Sequence, residues 1–198
     1  MVKISKIYTR TGDDGSTGLV DGSRISKDSL KVNTYGEIDE LNAWIGLIRT
    51  LLVEEKDTAL SNQFETIQNI LFDIGAVLAS PPDYDWNTKR QINTEDISFL
   101  EDWIDEITSA IPELRSFVLP GGTKLNSYFH LARTVCRRAE RSCVALQKVE
   151  PVQLGILQFL NRLSDLLFAI SRLDIIKKGE AEFLWSPCSN KPIKPNHL

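Results

Sequence analysis

The sequence contains few of the residues that build disulfide frameworks or transition-metal sites. Its three cysteines are Cys136, Cys143 and Cys188, an odd number without framework spacing. The number and spacing of the cysteines favour a reducing compartment, so we expect a cytoplasmic protein. The two histidines, His130 and His197, are too few for a His-rich zinc or iron site, and we expect no dedicated metal site.

Long apolar runs are also missing. No stretch of about 18 apolar residues occurs, which argues against a membrane span, and the first ten residues do not resemble a signal peptide. The net charge is −4, from 23 basic and 27 acidic residues, so we expect no general nucleic-acid binding. An anionic ligand would therefore need a local cluster of basic side chains.

Hydrophobic periodicity predicts an all-α fold, a bundle of five helices. Apolar residues recur at three- and four-residue steps, and prolines and capping residues mark the helix ends. The predicted helices cover about residues 29–52, 58–78, 94–110, 124–148 and 152–178. Residues 27–178 are predicted to share one core in a single domain. Residues 1–26 are predicted to be an irregular loop, and residues 179–198, with three prolines, a mobile tail.

The N-terminal segment has the composition of a phosphate-binding loop. Residues 9–18, TRTGDDGSTG, combine closely spaced glycines with hydroxyl groups, so backbone N–H groups can approach phosphate oxygens. Arg10 and Lys27 add positive charge. The Gly-Lys-Ser/Thr ending of a Walker A motif is absent, and a flexible loop without a ligand fits the composition equally well.

A positively charged stripe is predicted on the fourth helix. Arg133, Arg137 and Arg141 recur every four residues and share one face, with Glu140 beside them. Three stacked cations repel one another unless an anion or carboxylates lie opposite. A triphosphate suits them, because arginine donates bidentate hydrogen bonds to phosphate. A solvated helix face or a set of salt bridges would explain the same pattern.

Polar residues also interrupt the apolar fifth helix. Asn161, Asp165 and Arg172 form a line that is either an internal polar network or the wall of a ligand site, and the pattern fits both. On the first helix, acidic residues suit the positive end of the helix dipole. One of them, Asp39, could equally pair with an arginine of a neighbouring helix or subunit. We expect His130 to be structural.

Several segments together resemble one family, the PduO-type ATP:corrinoid adenosyltransferases. The resemblance spans about residues 3–178, and four motifs in the same order carry it. They are KIYTRTGD at 6–13, YGEIDEL at 35–41, FVLPGG at 117–122 leading to RRAER at 137–141, and FLNRLSD at 159–165.

The resemblance implies a homotrimer of five-helix bundles with active sites between subunits. It further implies that Arg133 pairs with Asp39 across the subunit boundary and that Phe117 lies at the corrinoid face. Arg133, Arg137, Asp39 and Phe117 are the expected catalytic residues. The implied ATP-binding residues are Thr9, Arg10, Thr11, Gly12, Thr17, Gly18 and Lys27 from the loop, and Arg137, Arg138, Glu140, Arg141 and Asn161 from the bundle.

The implied reaction moves the 5′-deoxyadenosyl group of ATP to the cobalt of cob(I)alamin, with Mg²⁺ and with triphosphate as the leaving group. It also implies an electron donor and an adenosylcobalamin-dependent client enzyme as partners. Two other interpretations stay open. One is a non-catalytic ATP-binding regulatory or scaffold bundle, and the other is a structural trimer whose arginines close interfacial salt bridges.

Overall fold

All five predicted helices are present, and their bounds differ from the predicted ones by no more than two residues. The structure is a computed structural model that describes residues 6–82, 84 and 91–187. The helices are α1 (Leu30–Glu54), α2 (Thr58–Leu78), α3 (Thr94–Ala110), α4 (Lys124–Leu146) and α5 (Leu154–Lys177). The all-α prediction is confirmed.

Side chains that bond the first free backbone N–H groups mark the helix starts. The Ser29 side chain accepts from the amide of Val32 at the start of α1, and Thr123 does the same for α4. Asn93 and Asp96 form a reciprocal capping box before α3. Each cap satisfies a donor that the helix itself leaves free, which explains why the helices begin where they do.

The core lies where α4 packs against both α1 and α5, while α2 packs on α1 and α3 packs on α5. Its largest fully buried side chains include Phe64, Phe129 and Phe159. Helix α5 is long and apolar enough to cross a membrane by length and composition, yet more than half of that stretch is buried inside the bundle. Its apolar composition is accounted for by its position in the core.

Part of the N-terminal segment is not irregular, contrary to the prediction. Strands β1 (Ser16–Gly18) and β2 (Arg24–Ser26) form an antiparallel hairpin. The amide of Val20, in the connecting turn, donates to the carbonyl of Ala79 at the end of α2 at 3.0 Å. The hairpin is therefore docked on the bundle by at least one backbone hydrogen bond.

The first part of the predicted mobile tail is also folded. Strand β4 (Phe183–Leu184) pairs with β3 (Val118–Leu119), and the amide of Trp185 donates to the carbonyl of Phe117 at 2.7 Å. Regular structure thus extends beyond the end of α5, as far as β4. Residues 188–198, with Cys188 and His197, lie outside the described residues, as does most of the predicted loop at 81–93.

The turn from β3 into α4 depends on a glycine. Gly122 has φ +103°, and a Cβ at this position would lie 2.5 Å from Cδ1 of Ile175. We expect Gly122→Ala to lower the free energy of unfolding by about 1–3 kcal/mol, because strain and steric conflict act together. Thermal unfolding should shift by about 2–4 °C per kcal/mol in a chain of this size.

Gly179→Ala is the matched control for this substitution. Gly179 also has a positive φ, +70°, but nothing lies within 4 Å of the added Cβ. It should therefore show the effect of backbone strain without the steric conflict. Equal losses in the two variants would mean that Ile175 adjusts at no cost.

Candidate functional site

A cavity of about 710 Å³ lies between α4, α5 and the segment that leads into β3. Such a volume is in the usual range for small-molecule and cofactor sites. The lining residues are Leu114, Arg115, Ser116, Phe117, Val118, Arg133, Arg137, Ser164, Asp165, Phe168 and Trp185. The cavity brings together residues that are far apart in the sequence.

One side of the cavity is cationic. Arg133 and Arg137 extend from successive turns of α4, and burial together with the charge of Arg137 lowers the pKa of Arg133. The guanidinium of Arg133 lies 6.0 Å from the ring centre of Phe168, and its Nε donates to Nδ1 of His130 at 3.4 Å. Two adjacent cations beside a cavity favour an anionic ligand.

The positive stripe continues along α4 and meets carboxylates. Nη1 of Arg141 donates to the carbonyl of Arg137 at 3.1 Å, and Nδ2 of Asn161 on α5 donates to Oε1 of Glu140 at 3.0 Å. The pKa of Asp165 is raised, chiefly by burial and in addition by Glu140, while nearby arginines oppose the shift. Asp165 therefore lines the cavity, whereas Asn161 does not line it and belongs to a polar network with Glu140.

The other side of the cavity is apolar and aromatic. Phe117 is 78% exposed, although a large apolar side chain of this kind is usually buried. Its ring lies 6.2 Å from that of Trp185 in an edge-on arrangement. The cavity thus has a charged wall on α4 and an aromatic wall on the Phe117 segment.

The N-terminal loop is held in shape by its own side chains. Lys27 Nζ donates to the carbonyl of Gly12 at 2.7 Å, and Arg24 bonds the carbonyl of Thr11 and the hydroxyl of Ser16. Gly12 is needed here because a Cβ would lie 2.8 Å from the Ser16 carbonyl. Of the other candidate residues of this loop, Thr9 lies 2.9 Å from Thr11 between their hydroxyl oxygens, Arg10 lies over the ring of Tyr8, and Thr17 and Gly18 belong to β1.

Within one chain this loop does not reach the cavity. None of the cavity-lining residues comes from residues 6–28. The loop docks instead at the end of α2, through the Val20–Ala79 hydrogen bond. Among the described residues, the loop therefore contributes no side chain to the cavity of its own chain.

Among the predicted bundle residues, Glu140, Arg141 and Asn161 do not line the cavity, and Arg138 and Asp39 lie on other faces. Arg138 bonds Glu37 at 2.5 Å and also pairs with Glu40, and the hydrogen bond to Glu37 is the main cause of its raised pKa. Its guanidinium therefore faces α1 and does not line the cavity. Asp39 is exposed at a groove of about 380 Å³ between α1 and α2, beside the exposed ring of Phe72.

The buried histidine and cysteines have structural contacts. His130 is 3% exposed, its Nε2 lies 3.3 Å from Ser171 Oγ, and burial lowers its pKa to about 4. It is therefore neutral near pH 7. Cys136 and Cys143 are buried free thiols whose pKa values burial raises, as expected for core residues.

Sequence reasoning missed several residues of the cavity. Ser164 belongs to the FLNRLSD motif but was not predicted as a site residue, and Phe168 lies one turn further along α5. No periodic signal marked Trp185, because it follows a two-residue strand in a segment predicted to be mobile. No sequence signal indicated Leu114, Arg115 or Ser116 either.

Comparison with known proteins agrees with this architecture. A family model described as cobalamin adenosyltransferase matches residues 7–174. The corrinoid adenosyltransferase of Bacillus subtilis is 47% identical over 178 residues, covering 88% of this chain and 89% of the relative. That of Mycobacterium tuberculosis is 43% identical over 189 residues, with coverages of 94% and 95%.

A solved structure has the same fold. It is a phenylalanine-to-alanine variant of a PduO-type ATP:corrinoid adenosyltransferase from Lactobacillus reuteri, complexed with cobalamin and ATP. The TM-score is 0.85 at 39% identity, covering 92% of this chain and 100% of that chain. An arginine-to-lysine variant of the same kind of enzyme, complexed with ATP, gives a TM-score of 0.83.

Proposed function

The chain belongs to the cobalamin adenosyltransferase family, and on that premise we propose that it transfers the 5′-deoxyadenosyl group of ATP to the cobalt of cob(I)alamin. Adenosylcobalamin and triphosphate are the products. The observation that carries this proposal is the cavity, which has a cationic wall for a polyphosphate and an aromatic wall for an apolar macrocycle. A non-catalytic ATP-binding bundle needs no second wall of that kind, so the catalytic interpretation is favoured.

The chemistry needs no protein base. Cobalt(I) of the substrate attacks C5′ of ATP, the C5′–O bond breaks, and triphosphate takes the electron pair. The nucleophile carries no proton, so the protein must align the two substrates, exclude water and stabilise the leaving charge. Arg137 and Arg141 are suited to the leaving triphosphate, with Glu140 and Asn161 orienting the nucleotide.

Mg²⁺ would take part in this reaction as an ion bound to ATP. Among the residues that the structure describes, no group of three His, Cys, Asp or Glu side chains could hold a metal ion. Mg²⁺ commonly binds substrate phosphates with one or two protein carboxylates and several waters. We therefore propose that it enters with the phosphates of ATP and neutralises part of their charge.

The test of the function is direct adenosylation. Protein, ATP, Mg²⁺ and chemically reduced cobalamin are mixed, and adenosylcobalamin is followed by absorbance and by its sensitivity to light. Product should form only with both protein and ATP. Saturating ATP at about a hundred times its Kd should also stabilise the fold by about 2.7 kcal/mol. Stabilisation without product would favour the regulatory interpretation, and neither effect would favour a purely structural bundle.

We propose that a complete site needs two copies of the chain, in a homotrimer. The separation of loop and cavity within one chain supports this arrangement. So do exposed Phe72 and Asp39, since Asp39 forms no ion pair within the described residues. Asp39 and Arg133 lie on different patches, so their pairing is head-to-tail, and a threefold rotation between subunits closes such contacts into a trimeric ring.

Subunit complementation distinguishes this arrangement from a site within one chain. Lys27→Ala damages only the loop half and Arg137→Ala only the bundle half, so each variant alone should have low activity. Co-expressed, the two should form mixed trimers in which about a quarter of the sites are intact, if subunits assort randomly. The measurement is adenosylation by the co-purified protein. Activity no higher than that of the single variants would contradict a shared site.

The compartment of the protein and its partner enzymes follow from the same chemistry. We propose that the protein is cytoplasmic, which its buried free thiols support. Cobalt(I) is strongly reducing, so an electron donor must supply it, and an adenosylcobalamin-dependent enzyme would consume the product.

A further inference from the structure

Arg172 belongs to the polar line on α5, and the proposed function gives it no role. It is 6% exposed and does not line the cavity. A buried guanidinium is costly unless its donors are satisfied. Its contacts therefore indicate what it is retained for.

Arg172 joins two segments that are about 70 residues apart in the chain. Its Nε and Nη2 donate to the two carboxylate oxygens of Glu182 at 2.7 and 3.2 Å. Nη2 also donates to the carbonyl of Pro112 at 2.8 Å. The guanidinium thus connects α5, the segment after α3 and the segment before β4.

These two segments form the outer wall of the cavity. Ser116 Oγ donates to the carbonyl of Trp185 at 3.0 Å, in addition to the backbone bond from Trp185 to Phe117. The rings of Phe117 and Trp185 both line the cavity. The buried pair of Arg172 and Glu182 does not itself line the cavity.

We propose that Arg172 and Glu182 are positioning residues for the corrinoid side of the site. The pair holds the Phe117 segment against the Trp185 segment and so sets the shape of the aromatic wall. A buried ion pair adds little net stability over an apolar pair, but the three hydrogen bonds of Arg172 tie both segments to α5. This inference rests on the proposed function, because it takes the aromatic wall to be the corrinoid side.

Glu182→Gln tests the pair with the smallest structural change, since it removes one charge and keeps the size. Glu182→Lys should act more strongly in the same direction, because it places a second cation against Arg172. We expect kcat/KM for cob(I)alamin to fall about tenfold or more while KM for ATP stays within about twofold, since small displacements of a substrate-aligning wall cost rate. Glu55→Gln is the matched control. It weakens the exposed Lys178–Glu55 pair, 2.8 Å long and away from the cavity, and should leave both parameters unchanged.

Hydrogen exchange supplies a readout that does not depend on activity. The Trp185 amide should be protected in the parent protein and should exchange faster in both Glu182 variants, but not in the Glu55 variant. Unchanged exchange and unchanged corrinoid kinetics would overturn the proposal. Equal losses toward ATP and corrinoid would also overturn it, because they indicate a general structural role. Failure of the parent protein to adenosylate cobalamin would instead refute the proposed function.

Discussion

Phe117→Ala is expected to keep ATP binding and to lose most of the adenosylation activity. The side chain is largely exposed and lines the aromatic wall of the cavity, whereas Arg133 and Arg137 of α4 line its cationic wall. Resemblance to the family implies that an apolar group here fills the lower axial position of cob(II)alamin and denies it to water or a base. Without water or a base bound at the lower axial position, cobalt(II) is easier to reduce to the nucleophilic cobalt(I).

Two measurements separate this role from a loss of folding. The ATP-induced rise in melting temperature should match that of the parent protein, while the cob(II)alamin spectrum in the presence of ATP should lose the signature of the ligand-free form. Val149→Ala is the control, because Val149 is another exposed apolar residue, 72% exposed and outside the cavity. Normal turnover with an unaltered cob(II)alamin spectrum would remove Phe117 from the mechanism.

Arg137→Ala is expected to cost about 2–4 kcal/mol of transition-state stabilisation, as is typical for a lost charge-stabilising donor. This corresponds to a fall of about 30- to 1,000-fold in kcat/KM for ATP. Arg137 is exposed at the cavity next to Arg133, where the negative charge of the leaving triphosphate would develop. Steady-state kinetics at saturating cob(I)alamin measure the effect.

The control must remove an arginine of the same bundle without touching the cavity. Arg49→Ala serves, because Arg49 pairs with Glu65 at 2.9 Å on the face where α1 meets α2. It should alter stability and leave kcat/KM for ATP close to that of the parent protein. If Arg137→Ala left kcat/KM unchanged, this arginine would be structural only.

The helices could be predicted closely because each carries its own signals. The apolar repeat of α2, for example, ends at Leu78, just before two prolines, and the predicted and observed bounds agree. The hairpin at β1 and β2 and the pairing of β3 with β4 could not be predicted in this way. Strands of two or three residues are too short for a periodic pattern, and distant partners stabilise them.

The arginines of the site also show what can be predicted from local sequence and what depends on another helix. Spacing alone placed Arg133, Arg137 and Arg141 on one face, since that follows from helix geometry. Spacing could not show that Arg138 pairs with Glu37 and Glu40 on α1, because those carboxylates belong to another helix.

By itself the sequence determined the five helices, the face of α4 that carries positive charge and, through its motifs, the family. These properties depend on residues within a few turns of one another or on motifs read in order. The tertiary structure alone decided that Trp185 and Phe117 share a wall, that Arg172 is engaged with Glu182 and Pro112, and that the N-terminal loop stays away from the cavity of its own chain. Each of these depends on which distant segments meet when the helices pack, and local propensity does not contain that information.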